Sequence, residues 1–266
     1  MENNIAIIGG GNLGASIAEG LITSGFVQAS QITITKRNLS TIQYLADKGV
    51  QITTDNAAAI KSAQYVLLAV KPFQIQEILE SLKPNLSPAR HTIISVATGV
   101  WVKDLESILT NQFPIIRAMP NTAIAIQESM TCICSNQLGQ GKIVFVTDLF
   151  NQLGKTIVID EKLMDAATVL GACGTAYALR FIRANIQGGI EIGFNATQAA
   201  LIAAQTAKGA ADLLLTKHSH PEQEIDKVTT PMGCTIAGLN EMEHQGFSSS
   251  LIKGLTVSYK KIKNDM

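Results

Sequence analysis

Long apolar runs are missing from this chain: no stretch approaches the roughly 20 residues that a membrane span requires, and a run such as Ala199 to Ala204 is broken by Gln205 and Lys208. Net charge is missing too. Twenty-one basic residues balance twenty-one acidic ones, which removes the broad attraction expected of a nucleic-acid or anionic-membrane binder. Cysteine is scarce: Cys132, Cys134, Cys173 and Cys234 lack the CxxC spacing of a zinc site and are too few for a disulfide scaffold in 266 residues. They are expected as reduced thiols. His218 and His220 fall in the polar stretch Lys217 to Gln223, which reads as a solvated loop, and no metal is expected. The opening residues Met1-Glu2-Asn3-Asn4 enter a short apolar run without the basic region and long apolar core of a secretory signal. A cytoplasmic protein with neither nucleic-acid nor membrane partners is expected.

What is present is material for a core. Hydrophobic residues make up 46% of the chain, enough for one large or two medium domains. Strand-like runs at Ile5 to Gly9, Gln31 to Thr35, Tyr65 to Val70, Thr92 to Val96 and Ile115 to Ala118 alternate with helical spacing at Leu13 to Ile22, Leu39 to Lys48 and Phe73 to Leu82. That alternation predicts an α/β fold with a parallel sheet covered on both faces. Met130 to Cys134 and Lys155 to Ile159 flank a helix-like Leu138 to Leu153 and extend the sheet. After Asp160 the strand signals stop, and helical segments follow one another from Leu163 to Lys263, with Asn195 and Gln198 placed to cap one of them. The boundary is therefore drawn between residues 1–160 and an all-α domain at 161–266. Its alanine-rich stretch Ala196 to Leu215 carries few charges, which favours helices interleaved with those of a second subunit.

Gly9, Gly11 and Gly14 form GxGxxG between the first strand and the first helix. In that context the first glycine allows a tight turn, the second admits a pyrophosphate, and the third lets the helix lie close to the strand. This predicts a Rossmann dinucleotide-binding domain in which Asn12 and Leu13 join the glycines at the phosphates. The second strand ends in Thr35-Lys36-Arg37, where an NAD site usually carries an acid. Two cations and a hydroxyl suit a 2′-phosphate, so NADPH is the expected cofactor, with NADH as the alternative. Asn56 and the turn Ala69-Val70-Lys71-Pro72 lie at later segment ends, where cofactors sit in open α/β sheets.

A second anion-binding feature lies in Val228 to Leu239, VTTPMGCTIAGL, where Pro231 and Gly233 precede a helical run. The first turn of a helix exposes unpaired N–H groups and partial positive charge, and Thr235 adds a hydroxyl. The same residues also describe an ordinary loop-to-helix start.

Taken together, IAIIGGGNLG, LLAVKP, RAMPNTA, LIAAQTAKGAADLLL with His220-Pro221, and VTTPMGCTIAGL resemble the pyrroline-5-carboxylate reductase family over nearly the whole chain. The resemblance implies a Rossmann domain, an all-α dimerisation domain interlocked with its partner, and often a higher ring-like oligomer of dimers such as a decamer. It implies reduction of a cyclic imine to L-proline by NADPH or NADH, the last step of proline synthesis. Carried over by position, it assigns Gly233, Cys234 and Thr235 to substrate carboxylate and ring, with Thr235 in the catalytic role. Met119 and Asn121 are likewise assigned to substrate, on the nicotinamide side of the pocket, and Glu161 falls at a position that can face substrate. The chain departs from the family pattern at Ala123, Cys173, Thr175 and Met232. Met232 stands in place of a glycine, and methionine at positive φ is strained. Those departures leave a catalytically weakened NADP-binding paralogue as an alternative. A β-hydroxyacid dehydrogenase is a second, but it needs a lysine general acid after the glycine turn, and no lysine occurs between Gly171 and Lys208.

Overall fold

The computed structural model describes residues 3–264. Eight strands form one sheet in the order β3-β2-β1-β4-β5-β6-β7-β8: β1 Ile5–Ile8, β2 Ile32–Thr35, β3 Gln51–Thr53, β4 Tyr65–Leu68, β5 Thr92–Ser95, β6 Ile115–Met119, β7 Ser129–Ser135 and β8 Gly154–Val158. The helices between them are α1 Asn12–Thr23, α2 Gln43–Asp47, α3 Asn56–Ile60, α4 Ile75–Leu82, α5 Val102–Leu109 and α6 Ile143–Asn151. Then come α7 Met164–Ala167, a π-helix at Thr168–Cys173, and α8 Gly174–Glu191, α9 Ala196–Lys217, α10 Pro221–Val228, α11 Cys234–His244 and α12 Phe247–Asn264.

Strands β1, β4 and β5 are buried at every residue, as expected of a parallel sheet with helices on both faces. Because side chains alternate across a strand, Ile5 and Ile7 enter one core with Leu67, Ile94 and Phe150. Ala6 and Ile8 enter the other with Val66, Leu68 and Ile93. The same logic places α4, which buries Ile75, Leu79 and Leu82 at one helical face. The expected parallel sheet holds from β1 to β6, and the two strands that extend it reverse direction. β7 runs antiparallel to β6, and β8 pairs parallel with β7, so the last two strands oppose the other six. The chain turns back through a short 3-10 helix at Thr122–Ile126, too short to carry a crossover.

Two compact units result, one made of the described residues to Cys173 with those from Ile262, the other of Gly174–Lys261. Residues 161–173, expected with the helical domain, belong to the first unit because Met164 is buried with Met119 and Cys134 and Glu161 pairs with Arg117. In the second unit, Asn195 caps α9 by accepting from Gln198 N–H at 2.9 Å, as its sequence indicates. Among the described residues from Gly174 onward, Ala199 alone is a buried hydrophobic, while Ile192 is 78% and Leu201 71% exposed. At roughly 2 kcal/mol per fully buried aliphatic side chain, a bundle with one buried alanine has no internal source of stability comparable to the sheet's. No helix among the described residues is long and apolar enough to cross a membrane.

Candidate functional site

The strand order reverses beside β1, whose neighbours are β2 and β4. That reversal opens a crevice at the C-terminal strand ends, where open α/β sheets bind ligands. The loop leaving β1 fills it with glycines, each for a different reason. Gly9 has φ +110°, and a Cβ there would lie 2.5 Å from the Ala69 carbonyl oxygen. A Cβ on Gly14 would collide with the Gly9 carbonyl, whereas one on Gly11 would meet nothing within 4 Å. Protein therefore crowds the first and third glycines, and the second faces open space. Gly11 also caps α1, with no side chain accepting from the first turn and no acidic residue in it. The amides of Asn12, Leu13 and Gly14 therefore open the helix without a side-chain acceptor, an arrangement that suits an anion.

The crevice continues into a cleft of about 230 Å³ lined by Gly10, Gly11, Asn12, Ala15, Ser16, Lys36, Thr41, Ile42 and Tyr44. Its polar lining supplies donors and no carboxylate. Lys36 reaches it; Arg37 is exposed and lies outside the lining. Thr35, expected at the cofactor, is buried, and its Oγ1 accepts from Gly9 N–H at 3.2 Å. Its part is to hold the loop. Ala69 and Val70 pack on Gly9, while Lys71 and Pro72 are exposed at the start of the next turn. Asn56 is half-buried at the head of α3, behind Asp55, which accepts from Ala57 and Ala58 N–H. Ser16, Thr41 and Tyr44 were not singled out from sequence. Ser16 stands one helical turn beyond Asn12, and that spacing was the available signal.

At the end of β6, Met119 is buried and its Sδ accepts from Thr98 Oγ1 at 3.8 Å. Asn121 and Glu161, both expected to meet substrate, are occupied by the protein. Asn121 Oδ1 accepts from Ala123 N–H at 3.0 Å, and Nδ2 donates to the Gly171 carbonyl at 3.3 Å. Glu161 Oε1 accepts from Arg117 Nη1 and from Val102 N–H, each at 2.7 Å. Arg117 is 2% exposed, and its guanidinium lies 5.3 Å from the centre of the Trp101 ring. The carboxylate thus balances a buried cation and caps α5. Burial pushes the nearby Cys134 thiol up to about 12, with Glu161 adding to the effect.

In the helical unit, Gly233 N–H donates to the Thr230 carbonyl at 2.9 Å, closing a turn with Pro231 second and Met232 third. Met232 adopts φ +61°, the left-handed position that a type II turn normally gives to glycine or asparagine, and its side chain is fully exposed. The strain expected from the sequence is present, at a cost of about 1–2 kcal/mol. A Cβ on Gly233 would lie 2.5 Å from Thr230 Oγ1 and 3.0 Å from the Thr230 carbonyl oxygen, so a larger residue here would have to displace the Thr230 side chain. Like Gly11, it caps its helix with no side-chain acceptor and no acid in the first turn. Cys234 is exposed and Thr235 half-buried beside those amides. His218 ends α9 in a left-handed conformation, and His220 caps α10, its Nδ1 accepting from Glu222 N–H at 3.3 Å. No group of three His, Cys, Asp or Glu among the described residues could hold a metal.

Residues 161–265 match the family model described as pyrroline-5-carboxylate reductase dimerisation, and residues 4–99 match NADP oxidoreductase coenzyme F420-dependent. Pyrroline-5-carboxylate reductase 2 of Dictyostelium discoideum is 47% identical over 98% of this chain and 92% of its own length. Pyrroline-5-carboxylate reductase 1 of the same organism is 48% identical over 98% of this chain, which spans 49% of that relative's length. The crystal structure of Plasmodium falciparum pyrroline carboxylate reductase with NADP bound superimposes with a TM-score of 0.89 at 25% identity, covering 99% of this chain and 98% of that one. With a likeness of this extent in sequence, architecture and helical module, the chain belongs to the pyrroline-5-carboxylate reductase family.

Proposed function

We propose that this protein reduces 1-pyrroline-5-carboxylate to L-proline, the last step of proline synthesis, with hydride from NADPH, NADH being the weaker donor. One observation carries the reading beyond family membership. Two helices, α1 and α11, open on a glycine cap with no side-chain acceptor and no acid in the first turn. The substrates of such a reaction bring two anions, a dinucleotide diphosphate and a ring carboxylate, and a bare helix start suits each. Support for the cofactor's fit comes from the open space at Gly11 and the carboxylate-free cleft reached by Lys36. NADPH, when bound, supplies the hydride.

The chain's own residues then have modest tasks. A protonated imine is already electrophilic, so alignment and exclusion of water account for most of what the protein contributes. The amides at Asn12 to Gly14 hold the diphosphate, with Gly9, Ala69 and Val70 shaping the loop. Lys36 answers the 2′-phosphate. The amides at Cys234 and Thr235 hold the carboxylate, and the Thr235 hydroxyl donates near the ring nitrogen. Met119 lines the nicotinamide side. The helical unit's exposed apolar residues support association with a second copy, and we extend this to a ring-like decamer built from dimers in the cytoplasm, where all four cysteines stay free thiols.

The test follows NADPH absorbance with pyrroline-5-carboxylate. Thr235→Ala is expected to lose about 1–3 kcal/mol of transition-state stabilisation, the worth of one or two hydrogen bonds. NADPH binding without turnover in the native chain would instead identify the weakened paralogue, whose structural support is the strained Met232.

A further inference from the structure

Asn121 is held at three points. Its N–H donates to Ser129 Oγ at 3.0 Å, its Oδ1 accepts from Ala123 N–H at 3.0 Å, and its Nδ2 donates to the Gly171 carbonyl at 3.3 Å. Ser129 Oγ lies 3.2 Å from Thr131 Oγ1, and both residues are buried in β7. Gly171 belongs to the π-helix Thr168–Cys173, a rare form that occurs mostly as single-turn insertions, frequently at functional sites. A continuous line of hydrogen bonds therefore runs from inside β7, past the end of β6, to the π-helix. The carboxamide can take only one orientation in it, because the reverse would set donor against donor at Ala123 and acceptor against acceptor at Gly171. Both ends of the side chain face protein groups. Asparagine is required by this geometry, since aspartate keeps the acceptor and loses the donor.

We propose that Asn121 is a positioning residue for hydride transfer: it ties the π-helix to the C-terminal end of β6 and so fixes Met119 and Pro120 at the ligand-binding edge of the sheet. The inference rests on the reductase reading above, and turnover of the native chain decides that reading separately. Asn121→Asp, tested in the intact oligomer, sets a carboxylate against the Gly171 carbonyl. The expected result is a fall in kcat of about tenfold to a hundredfold, the scale of one lost hydrogen bond with its acceptor left facing a like group. The Michaelis constant for NADPH should stay near the native value. Ser129→Ala removes the acceptor of Asn121 N–H without adding charge and should give the same pattern at smaller size. Hydrogen exchange over residues 168–173 should quicken in Asn121→Asp whether or not turnover is measured. Native kcat in Asn121→Asp, or unchanged exchange there, overturns the proposal. So does a loss in which NADPH affinity and thermal stability fall in step with kcat, since that describes a general packing defect. If Asn121→Asp fails to fold, Ser129→Ala decides alone, and native kcat in that variant overturns the proposal.

Discussion

Gly11→Ala separates the fold from the cofactor more cleanly than any other single change. Gly11 has φ −73° and ψ −172°, values that alanine adopts freely, and its added methyl would meet no protein atom within 4 Å. Alanine is a poorer helix cap than glycine by about 0.5–1 kcal/mol. Restricting the unfolded chain returns about 0.4–1 kcal/mol. The two nearly cancel, so Tm should move by no more than about 2 °C in a chain of this length. The cofactor sees the same methyl differently, because it stands where the diphosphate must approach the amides. Displacing one or two charge-assisted hydrogen bonds costs about 1.5–3 kcal/mol each, which raises the NADPH dissociation constant by about tenfold to more than a hundredfold. Fluorescence titration with NADPH, paired with thermal melting, measures both quantities on one sample. Gly14→Ala is the contrast: its methyl collides with the Gly9 carbonyl, so stability and affinity should fall together. A Gly11→Ala protein that binds NADPH with native affinity would refute the placement of the diphosphate at this helix start.

Lys36→Ala should raise the Michaelis constant for NADPH about tenfold and leave that for NADH near its native value, whereas Arg37→Ala should change neither appreciably; steady-state kinetics with both cofactors checks this. Glu161→Ala strands the buried Arg117 guanidinium and should destabilise the protein by about 3 kcal/mol in urea, while Lys162→Ala, at an exposed pair, should cost close to nothing. Trp101 is the chain's single tryptophan and lies over Arg117, so its fluorescence reports the transition. His91 is fully buried, accepts from Ser87 N–H through Nδ1 at 2.8 Å, and is held below its ordinary 6.5, chiefly by burial and further by Arg90. The unfolded chain then binds the proton more readily, so this contribution to stability is complete above about pH 6.5 and declines as pH falls toward the lowered value; His91→Gln should flatten that slope in melts from about pH 5 to 8.

The alternation of strands and helices was legible because β1 and β4 are unbroken apolar runs and β5 carries an apolar pair, each beside helices with a regular stripe. Strand direction was not. An apolar run such as Met130 to Cys134 reads the same in either polarity, and only the short turn at Thr122–Ile126 shows that the chain doubles back. β3 and α3 escaped notice because three and five residues are too few for a period to emerge. α5 buries Val102, Leu105 and Leu109 at helical spacing that could have been read. At the site, the glycines were legible because their roles depend on local backbone. The sequence around Asn121 and Glu161 does not reveal that the Gly171 carbonyl and the Arg117 guanidinium, 50 and 44 residues away, occupy them. Met232 was the opposite case, a purely local strain announced by one side chain in a turn that asks for none.

The uneven distribution of buried apolar surface also sets a timetable for synthesis. The sheet and both its cores lie in the first part of the chain to leave the ribosome, and they can close without waiting for anything further, as N-terminal domains commonly do. The helices that follow have little to fold onto within their own unit, so each new chain passes through an interval in which Leu201, Ile192 and their neighbours stay exposed. The length of that interval depends on how many other chains are nearby. Production of the finished protein therefore scales more steeply than the supply of its message.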